Sequence, residues 1–183
     1  MLLCEAAAMQ FPTWSYFPRN AKAPPWVLEF VSVVADTEAV VSTDKRSGLK
    51  SDDVLAAIAP GLSGLGYSVE SGKKKEQKIS RPVLFGENGA ARVSYEIDAF
   101  HDHLGIAVEV EAGRGAANNA DYRDIVRTAL ILDARYLALV MPVDYRTGNQ
   151  SMKAYGRTRE QLDALYASDR LKLPFAGVLL IGY

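Results

Sequence analysis

The residues of this chain best suited to chemistry are three carboxylates on two strand-like segments, which we predict to fold back on each other as a hairpin. Asp98 ends a segment of alternating apolar and polar residues that begins at residue 93, and Glu109 and Glu111 lie in a second such segment that begins at residue 106. Because strand side chains alternate faces, two segments that share one apolar core bring the three acids to the same side. Glu109 and Glu111 would then have Cβ atoms roughly 6.5–7 Å apart. Acids this close repel unless a cation lies between them, and oxygen ligands suit Mg2+ or Mn2+.

The same alternation also occurs in strands that turn one face to water, where exposed glutamates are ordinary. Two features favour a site. Apart from Arg92, directly before the first segment, no lysine or arginine lies where it would balance the acids of the two segments. The second segment also runs into Gly113-Arg114-Gly115, where backbone can approach a ligand closely with a cation beside it. We therefore interpret the cluster as a site.

A divalent ion held by such acids orients an attacking water, lowers its pKa and stabilises the charge that builds on a phosphodiester. Arg114 could bind a neighbouring phosphate. The densest basic run of the chain, from residue 72 to residue 81, precedes the acids. Runs of this kind are most often solvated loops, but this one could hold a polyanion against the acidic cluster. Its lysines are Lys73, Lys74, Lys75 and Lys78.

Composition bounds the classes of function. The chain has 183 residues, 49% hydrophobic and 23% charged, with a formal net charge of −1. This length suits one domain with a real core, and the overall charge gives no support for nucleic-acid binding, so any such binding must depend on local patches. The single cysteine, Cys4, excludes an internal disulfide and a cysteine-rich zinc site, and it fits a cytoplasmic location. No apolar run is long enough to suggest a membrane span.

The elements that must position the acids follow from periodicity. Residues 1–25, rich in proline and aromatic residues, predict an irregular N-terminal arm that lays its aromatics on the core or on a second subunit. Residues 26–183 predict one domain. Helices are expected over 26–41, 51–65, 118–134 and 157–168, and strands over 67–69, 83–85, 93–98, 106–111, 136–143 and 175–183. This order predicts a mixed α/β (α+β) fold, a central mixed sheet flanked by helices.

The helix expected over 118–134 follows the acidic segments directly. Tyr122, Ile125 and Val126 belong to an apolar stripe at helical spacing, and Asp121 with Asp124 three residues later resembles a capping box with Asp in place of Glu. Arg123 falls on one side of the stripe.

These residues together carry a family resemblance. Ile97-Asp98, then Val108-Glu109-Val110-Glu111, then Tyr122-Arg123-Asp124 and the apolar run from Tyr136 to Pro142 resemble the PD-(D/E)XK nuclease superfamily. The nearest type is the restriction endonucleases of the BamHI/BglII type, in which a strand aspartate is followed by Glu-X-Glu or Glu-X-Gln rather than the more usual Glu-X-Lys. The resemblance covers roughly residues 27–143.

The resemblance implies a restriction endonuclease-like fold and a nuclease that uses Mg2+ (or Mn2+) to hydrolyse DNA. It makes Asp98 and Glu109 metal ligands, and it places Glu111 where lysine usually stands, as a base or a ligand-positioning group. An acid of the first helix, Glu29 or Glu38, would complete the site. Arg123 joins Arg114 and the four lysines as an expected nucleic-acid contact.

Two other functions stay open from the sequence. One is a binding protein without catalytic activity that keeps the nuclease fold and dimerises through its aromatic arm. The other is a metal-dependent hydrolase of a different phosphate ester.

Overall fold

A computed structural model of the chain describes residues 10–112, 119–147, 150–168 and 170–183. The helices in these ranges are α1 (Pro25–Ala35), α2 (Glu38–Val41), α3 (Ser51–Gly64), α4 (Ala120–Ala129) and α5 (Ala154–Ala167). The strands are β1 (Thr13–Phe17), β2 (Ser68–Val69), β3 (Ile79–Phe85), β4 (Ala91–Ile97), β5 (Ala99–His101), β6 (Ile106–Val110), β7 (Tyr136–Met141), β8 (Tyr145–Thr147), β9 (Gln150–Met152) and β10 (Gly177–Gly182).

One mixed sheet of six strands organises the domain, in the order β1-β10-β7-β6-β5-β2. The central strands β10, β7 and β6 run parallel, and β1, β5 and β2 join the two flanks in antiparallel pairing. Strands β3 and β4 form a separate two-stranded ribbon, and β8 and β9 form a short hairpin. The prediction of a central mixed sheet flanked by helices is confirmed.

Helices cover both faces of the sheet. The core on one face packs β6, β7 and β10 against α1 and α3, and the core on the other face packs them against α4 and α5. This double cover explains why β7 and β10 are almost continuously apolar in sequence. All five residues of β6 are buried as well, Glu109 among them. Of the helices in the described residues, none combines the length and the apolar character that a bilayer crossing requires.

The composition of the N-terminal segment predicted an irregular arm, but part of this segment is a regular strand. Thr13–Phe17 forms β1, which pairs antiparallel with β10 at the edge of the sheet. Tyr16 and Phe17 are buried in the core of the chain itself. Backbone hydrogen bonds to β10 hold this segment in a strand, although prolines lie on either side of it.

The first two predicted helices need smaller corrections. The expected helix over 26–41 is two helices, α1 and α2. The second predicted helix is present as α3, which continues through Pro60 and Gly61. A Cβ added to Gly61 would lie 2.6 Å from Val33 Cγ1 of α1, so glycine is what lets these two helices approach closely.

The predicted hairpin of residues 93–98 with 106–111 is wrong, because the first of these strands does not pair with the second. Strand β4 pairs with β3, with Ile79 opposite Ile97, whereas β6 pairs with the short β5. The end of the basic run therefore lies in β3, not in a loop. The chain changes partner at Asp98, whose Oδ2 accepts a hydrogen bond of 2.7 Å from the Val110 N–H. At this point a carboxylate side chain satisfies the backbone donor of β6.

Helix α4 is present where a helix was predicted, but it faces the core differently. Its buried side chains include Asp121, Asp124 and Ile125, whereas Tyr122 and Val126 of the predicted apolar stripe are exposed. Asp121 does not form the capping box with Asp124, because the helix begins at Ala120 and Asp121 lies inside its first turn. The Asp121 carboxylate accepts a hydrogen bond from Thr158 of α5 at 2.9 Å. The helix therefore brings Asp124 to the β6 face that carries Glu109.

Candidate active site

Asp98 and Glu109 are brought together by the pairing of β5 with β6. Ala99 lies opposite Val108, so the next position outward in this register places Asp98 opposite Glu109. The carboxylate of Asp98 accepts the Val110 N–H described above, which fixes it against the end of β6. Burial raises the pKa of Asp98 to about 6, with smaller contributions from the charges of Glu70 and Asp124 and an opposing effect of the Val110 hydrogen bond.

Glu109 is the most unusual residue of the group. Its side chain is 8% exposed, and its Oε1 is buried with no hydrogen-bond partner. Burial, followed by the charges of Asp98 and Asp124, raises the pKa of Glu109 well above its ordinary value. An ionised carboxylate in such a place is costly unless a cation or a donor reaches the free oxygen.

Glu111 lies just beyond β6 and is positioned by several partners. Its backbone N–H donates to Val140 O of β7 at 2.9 Å, and its carbonyl accepts the Tyr183 hydroxyl at 2.9 Å. Its Oε1 accepts a hydrogen bond of 3.1 Å from the Arg123 guanidinium. Burial, with a hydrogen bond to Asp124 as the second cause, raises the pKa of Glu111 to about 8.

Asp124 links helix α4 to this group. Its Oδ1 and Oδ2 accept hydrogen bonds of 3.0 and 3.4 Å from Arg123, which also contacts Glu111. The bond to Asp124 is the main reason why the pKa of Arg123 is raised. Glu111, Arg123 and Asp124 thus form one connected unit at the rim of the site.

These residues line one open pocket of about 380 Å3. Its side chains come from the ribbon, the sheet and α4, and they carry six carboxylates beside three basic groups. The charged residues of the lining are Glu70, Lys78, Glu96, Asp98, Glu109, Glu111, Arg123, Asp124 and Arg127. Glu70 follows β2, and its N–H donates to Asp98 O at 2.8 Å. Lys78 pairs with Glu70 at 2.6 Å, and that hydrogen bond is the main reason why the pKa of Lys78 is raised.

The structure does not bring the expected helix acids to this pocket. Glu29 is exposed on the outer side of α1, since neighbouring Trp26, Val27 and Phe30 form the buried side of that helix. Glu38 pairs with Lys45 at 2.8 Å, away from the pocket. The acid that lines the pocket beside Asp98 is Glu70.

The predicted nucleic-acid contacts separate into three groups. Lys78 and Arg123 line the pocket. Lys73 instead pairs with Asp52 at 3.1 Å, and Lys74 and Lys75 are exposed without lining the pocket. Arg114 lies outside the described residues.

Sequence reasoning did not assign Glu70, Glu96 or Asp124 to the site. Asp124 appeared in a supposed capping box and in the segment that carries the family resemblance, without a role in the site. A signal for it existed in the helical spacing, since Asp121, Asp124, Ile125 and Thr128 share one face, but a face with two aspartates does not resemble a core.

A divalent cation fits the chemistry of these donors. Carboxylate oxygens are the ligands that Mg2+ and Mn2+ prefer, and Glu109 Oε1 is a buried oxygen that lacks any other partner. Within the described part of the chain, however, no three acidic, histidine or cysteine side chains are already gathered around a common point. The carboxylates share a pocket, and rotamer changes would have to close them on an ion.

Comparison with known proteins shows the family to which the chain belongs. A family model described as "Putative halobacteria restriction endonuclease" matches residues 13–183, which include every element that lines the pocket. The chain belongs to this family. A search of curated proteins found no match. Membership supports the resemblance to restriction endonuclease-like nucleases that the acids suggested, and the match begins at β1, the strand that the sequence did not predict.

Proposed function

We propose that the protein is a Mg2+-dependent endonuclease that hydrolyses phosphodiester bonds of DNA in the pocket around Glu109. The observation that carries the proposal is the buried, unpartnered Oε1 of Glu109 beside Asp98, in a pocket with four further carboxylates. A purely structural protein gains no stability from an arrangement of this kind. The nuclease family of the chain supports the same conclusion.

Asp98 and Glu109 are the proposed ligands of the ion, with Glu70 as the third acid in place of Glu29. The bound ion would lower the pKa of a water molecule and stabilise the negative charge that develops on the phosphate. Lys78 pairs with Glu70 at 2.6 Å, and the Glu70 N–H donates to Asp98 O, so this acid is held beside Asp98. Asp98 is oriented by the Val110 N–H.

Glu111 is the proposed base. Its carboxylate takes a proton from the attacking water, the water oxygen bonds to phosphorus, and the ester P–O bond breaks as the leaving oxygen takes a proton from a solvent water molecule. A pKa of about 8 suits a group that must exchange protons near neutral pH. Glu111 stands where most PD-(D/E)XK nucleases have lysine. The proposal therefore keeps the BamHI/BglII type as the nearest type.

Arg123 is the proposed phosphate contact at the rim. Its side chain is 58% exposed while its guanidinium is anchored by Asp124 and Glu111. A guanidinium held in this way can form paired hydrogen bonds with a phosphate.

The test is a cleavage assay on linear DNA, supercoiled DNA and single-stranded RNA with Mg2+ or Mn2+. We expect the wild type to cut DNA, and Asp98→Asn and Glu109→Gln to lose cleavage while keeping the fold. Glu160→Gln, an exposed acid of α5 outside the pocket lining, is the matched control and should cut like the wild type. A wild type that cuts none of these substrates but still retards DNA on a gel would contradict the enzyme and favour the binding protein.

A further inference from the structure

One position in the ladder between β6 and β7 cannot be filled by the backbone. Val110 pairs with Val140 in the parallel register of these strands, so the next pair is Glu111 with Met141. The ladder continues on the N–H side, since the Glu111 N–H donates to Val140 O at 2.9 Å. On the carbonyl side, the parallel pattern requires the N–H of residue 142. Residue 142 is a proline, which has no N–H to donate.

The hydroxyl of Tyr183 takes the place of this donor. It donates to Glu111 O at 2.9 Å. Tyr183 directly follows β10, which lies on the opposite side of β7 from β6, so its side chain reaches past β7 to the end of β6. Burial raises the pKa of the Tyr183 hydroxyl, so the group stays protonated and remains a donor through the neutral range.

Tyr183 is itself held in place on several sides. Its N–H donates to Met141 O at 3.0 Å, and its carbonyl accepts the Val143 N–H and the Thr43 hydroxyl, each at 2.9 Å. The residue is buried in the core between the sheet and helices α1 and α3. With the backbone bonded to both neighbours and the ring packed, the hydroxyl has a fixed position relative to β7.

A fixed carbonyl also fixes the direction of the Glu111 side chain. The bond to Val140 O holds the peptide plane that precedes Glu111, so the remaining freedom at this point is rotation about the N–Cα bond. That rotation swings the side chain and the carbonyl together. A donor that holds the carbonyl therefore also aims the carboxylate, whose Oε1 accepts a hydrogen bond of 3.1 Å from Arg123.

Tyr183 reaches the pocket only through Glu111. Among the residues that the structure describes, the pocket lining includes Glu111 but not Tyr183. A buried side chain outside the lining cannot contact a substrate, so any effect of the Tyr183 hydroxyl on a reaction in the pocket must pass through the carbonyl that it binds.

We propose that Tyr183 is a positioning residue for the reaction in this pocket, its hydroxyl holding the Glu111 carbonyl and so aiming the Glu111 carboxylate at the attacking water. The role rests on the proposed function, because it takes Glu111 as the base, whereas the hydrogen bond itself does not. Proline at residue 142 and tyrosine at residue 183 then have a joint explanation. The proline leaves the carbonyl without a backbone donor, and the tyrosine supplies a side-chain donor in its place.

The chain contains a matched control for the loss of a buried tyrosine hydroxyl. Tyr155 of α5 is also buried, and its hydroxyl shares a hydrogen bond of 2.9 Å with Ser15 Oγ. Neither of these two residues belongs to the pocket lining. Tyr155→Phe therefore removes a buried hydrogen bond of the same length without affecting Glu111.

The first test is steady-state cleavage of DNA by the wild type, Tyr183→Phe and Tyr155→Phe. We expect Tyr183→Phe to lower kcat about 10- to 100-fold, the usual effect of losing a partner that orients a reacting group, and to leave KM unchanged. Tyr155→Phe should keep the kcat of the wild type, and thermal melts should show that both variants are folded. An unchanged kcat in Tyr183→Phe, or an equal loss in both variants, would overturn the proposal.

Two double variants distinguish positioning from a general loss of stability. Pro142→Ala combined with Tyr183→Phe restores an N–H at the open ladder position, so kcat should recover part of its loss. Tyr183→Phe should lower kcat no further in a Glu111→Gln background, because the hydroxyl acts through the Glu111 carboxylate. A first double variant that recovers nothing, or an undiminished effect in the second, would contradict the positioning role.

Crystal structures of the two phenylalanine variants test the proposal without any measurement of activity. We expect the hydrogen bond between Glu111 and Arg123 to be lost in Tyr183→Phe and kept in Tyr155→Phe. A Glu111 carboxylate that has not moved in Tyr183→Phe would overturn the positioning role and leave the nuclease proposal standing. A wild type that cuts no DNA, together with a displaced Glu111 in Tyr183→Phe, would count against the nuclease alone.

Discussion

At the scale of residues, the central feature is a carboxylate that the fold does not stabilise by itself. Glu109 is enclosed between β6 and α4, its pKa is raised by burial and by Asp98 and Asp124, and one of its oxygens is unpartnered. A raised carboxyl pKa means that the folded protein binds protons more tightly than the unfolded chain does. Unfolding then releases protons, so the free energy of unfolding falls as the pH rises from the ordinary carboxyl pKa to the raised one.

This predicts how metal-free stability depends on pH. Asp98, with a pKa of about 6, should cost stability as the pH rises to about 6, and Glu111, with a pKa of about 8, should continue the loss to about pH 8. Glu109→Gln keeps the shape but removes the charge. We expect it to raise the free energy of unfolding by on the order of 1–3 kcal/mol at pH 8, and by much less at pH 5.

Chemical denaturation at both pH values, in buffer with a chelator, measures this difference. Glu160→Gln serves as the control and should follow the wild type at both. If Glu109→Gln is less stable than the wild type at pH 8, the carboxylate has a stabilising partner and the argument from its free oxygen is wrong.

Residue patterns could identify only part of the site. Asp98, Glu109 and Glu111 stand out because strand alternation and the shortage of nearby lysine and arginine are visible in sequence. Glu70 does not, since it reaches Asp98 only through the pairing of β2 with β5, a contact between distant segments.

At the scale of elements, α4 connects the sheet acids to a second layer of polar groups. Asp124 accepts hydrogen bonds from Arg123, which also donates to Glu111 at the pocket, whereas Asp121, equally buried on the same helix, accepts one from Thr158 of α5. The two aspartates therefore make a matched pair with different roles.

We predict that Asp124→Asn reduces Mg2+-dependent cleavage about 10- to 100-fold, the usual effect of removing a partner that orients a ligand or base. Asp121→Asn should leave the cleavage rate near that of the wild type and lower the melting temperature instead. Initial rates at saturating Mg2+, with thermal melts of both variants, distinguish the two. Equal losses of cleavage would show that the position of α4, and not the Asp124 carboxylate, is what matters.

Helix α4 also shows why the buried side of a helix is harder to predict than the presence of the helix. Its periodic residues marked a helix after the acidic strand, which is correct. The apolar stripe then suggested the wrong buried side, because burial of Asp121 and Asp124 depends on partners on α5 and β6 that no local pattern reveals.

At the scale of the whole molecule, sheet order could be anticipated where a strand is buried on both faces. The nearly continuous apolar runs of β7 and β10 are what strands buried on both faces require, and both lie in the parallel centre of the sheet. Two features could not be predicted: that β1 belongs to the central sheet, and that β3 and β4 form a separate ribbon. Both depend on which strands pair and not on the residues within each strand. A cytoplasmic location stays a prediction.

The central claim is that a divalent ion binds in the pocket at Glu109. Anomalous diffraction from crystals equilibrated with Mn2+ tests it most directly, with the wild type and Glu109→Gln treated alike. The account predicts a manganese peak in the wild-type pocket, coordinated by Glu109 and Asp98, that is lost in Glu109→Gln. No peak in that pocket at a Mn2+ concentration that supports cleavage, or a peak unchanged by Glu109→Gln, would contradict it.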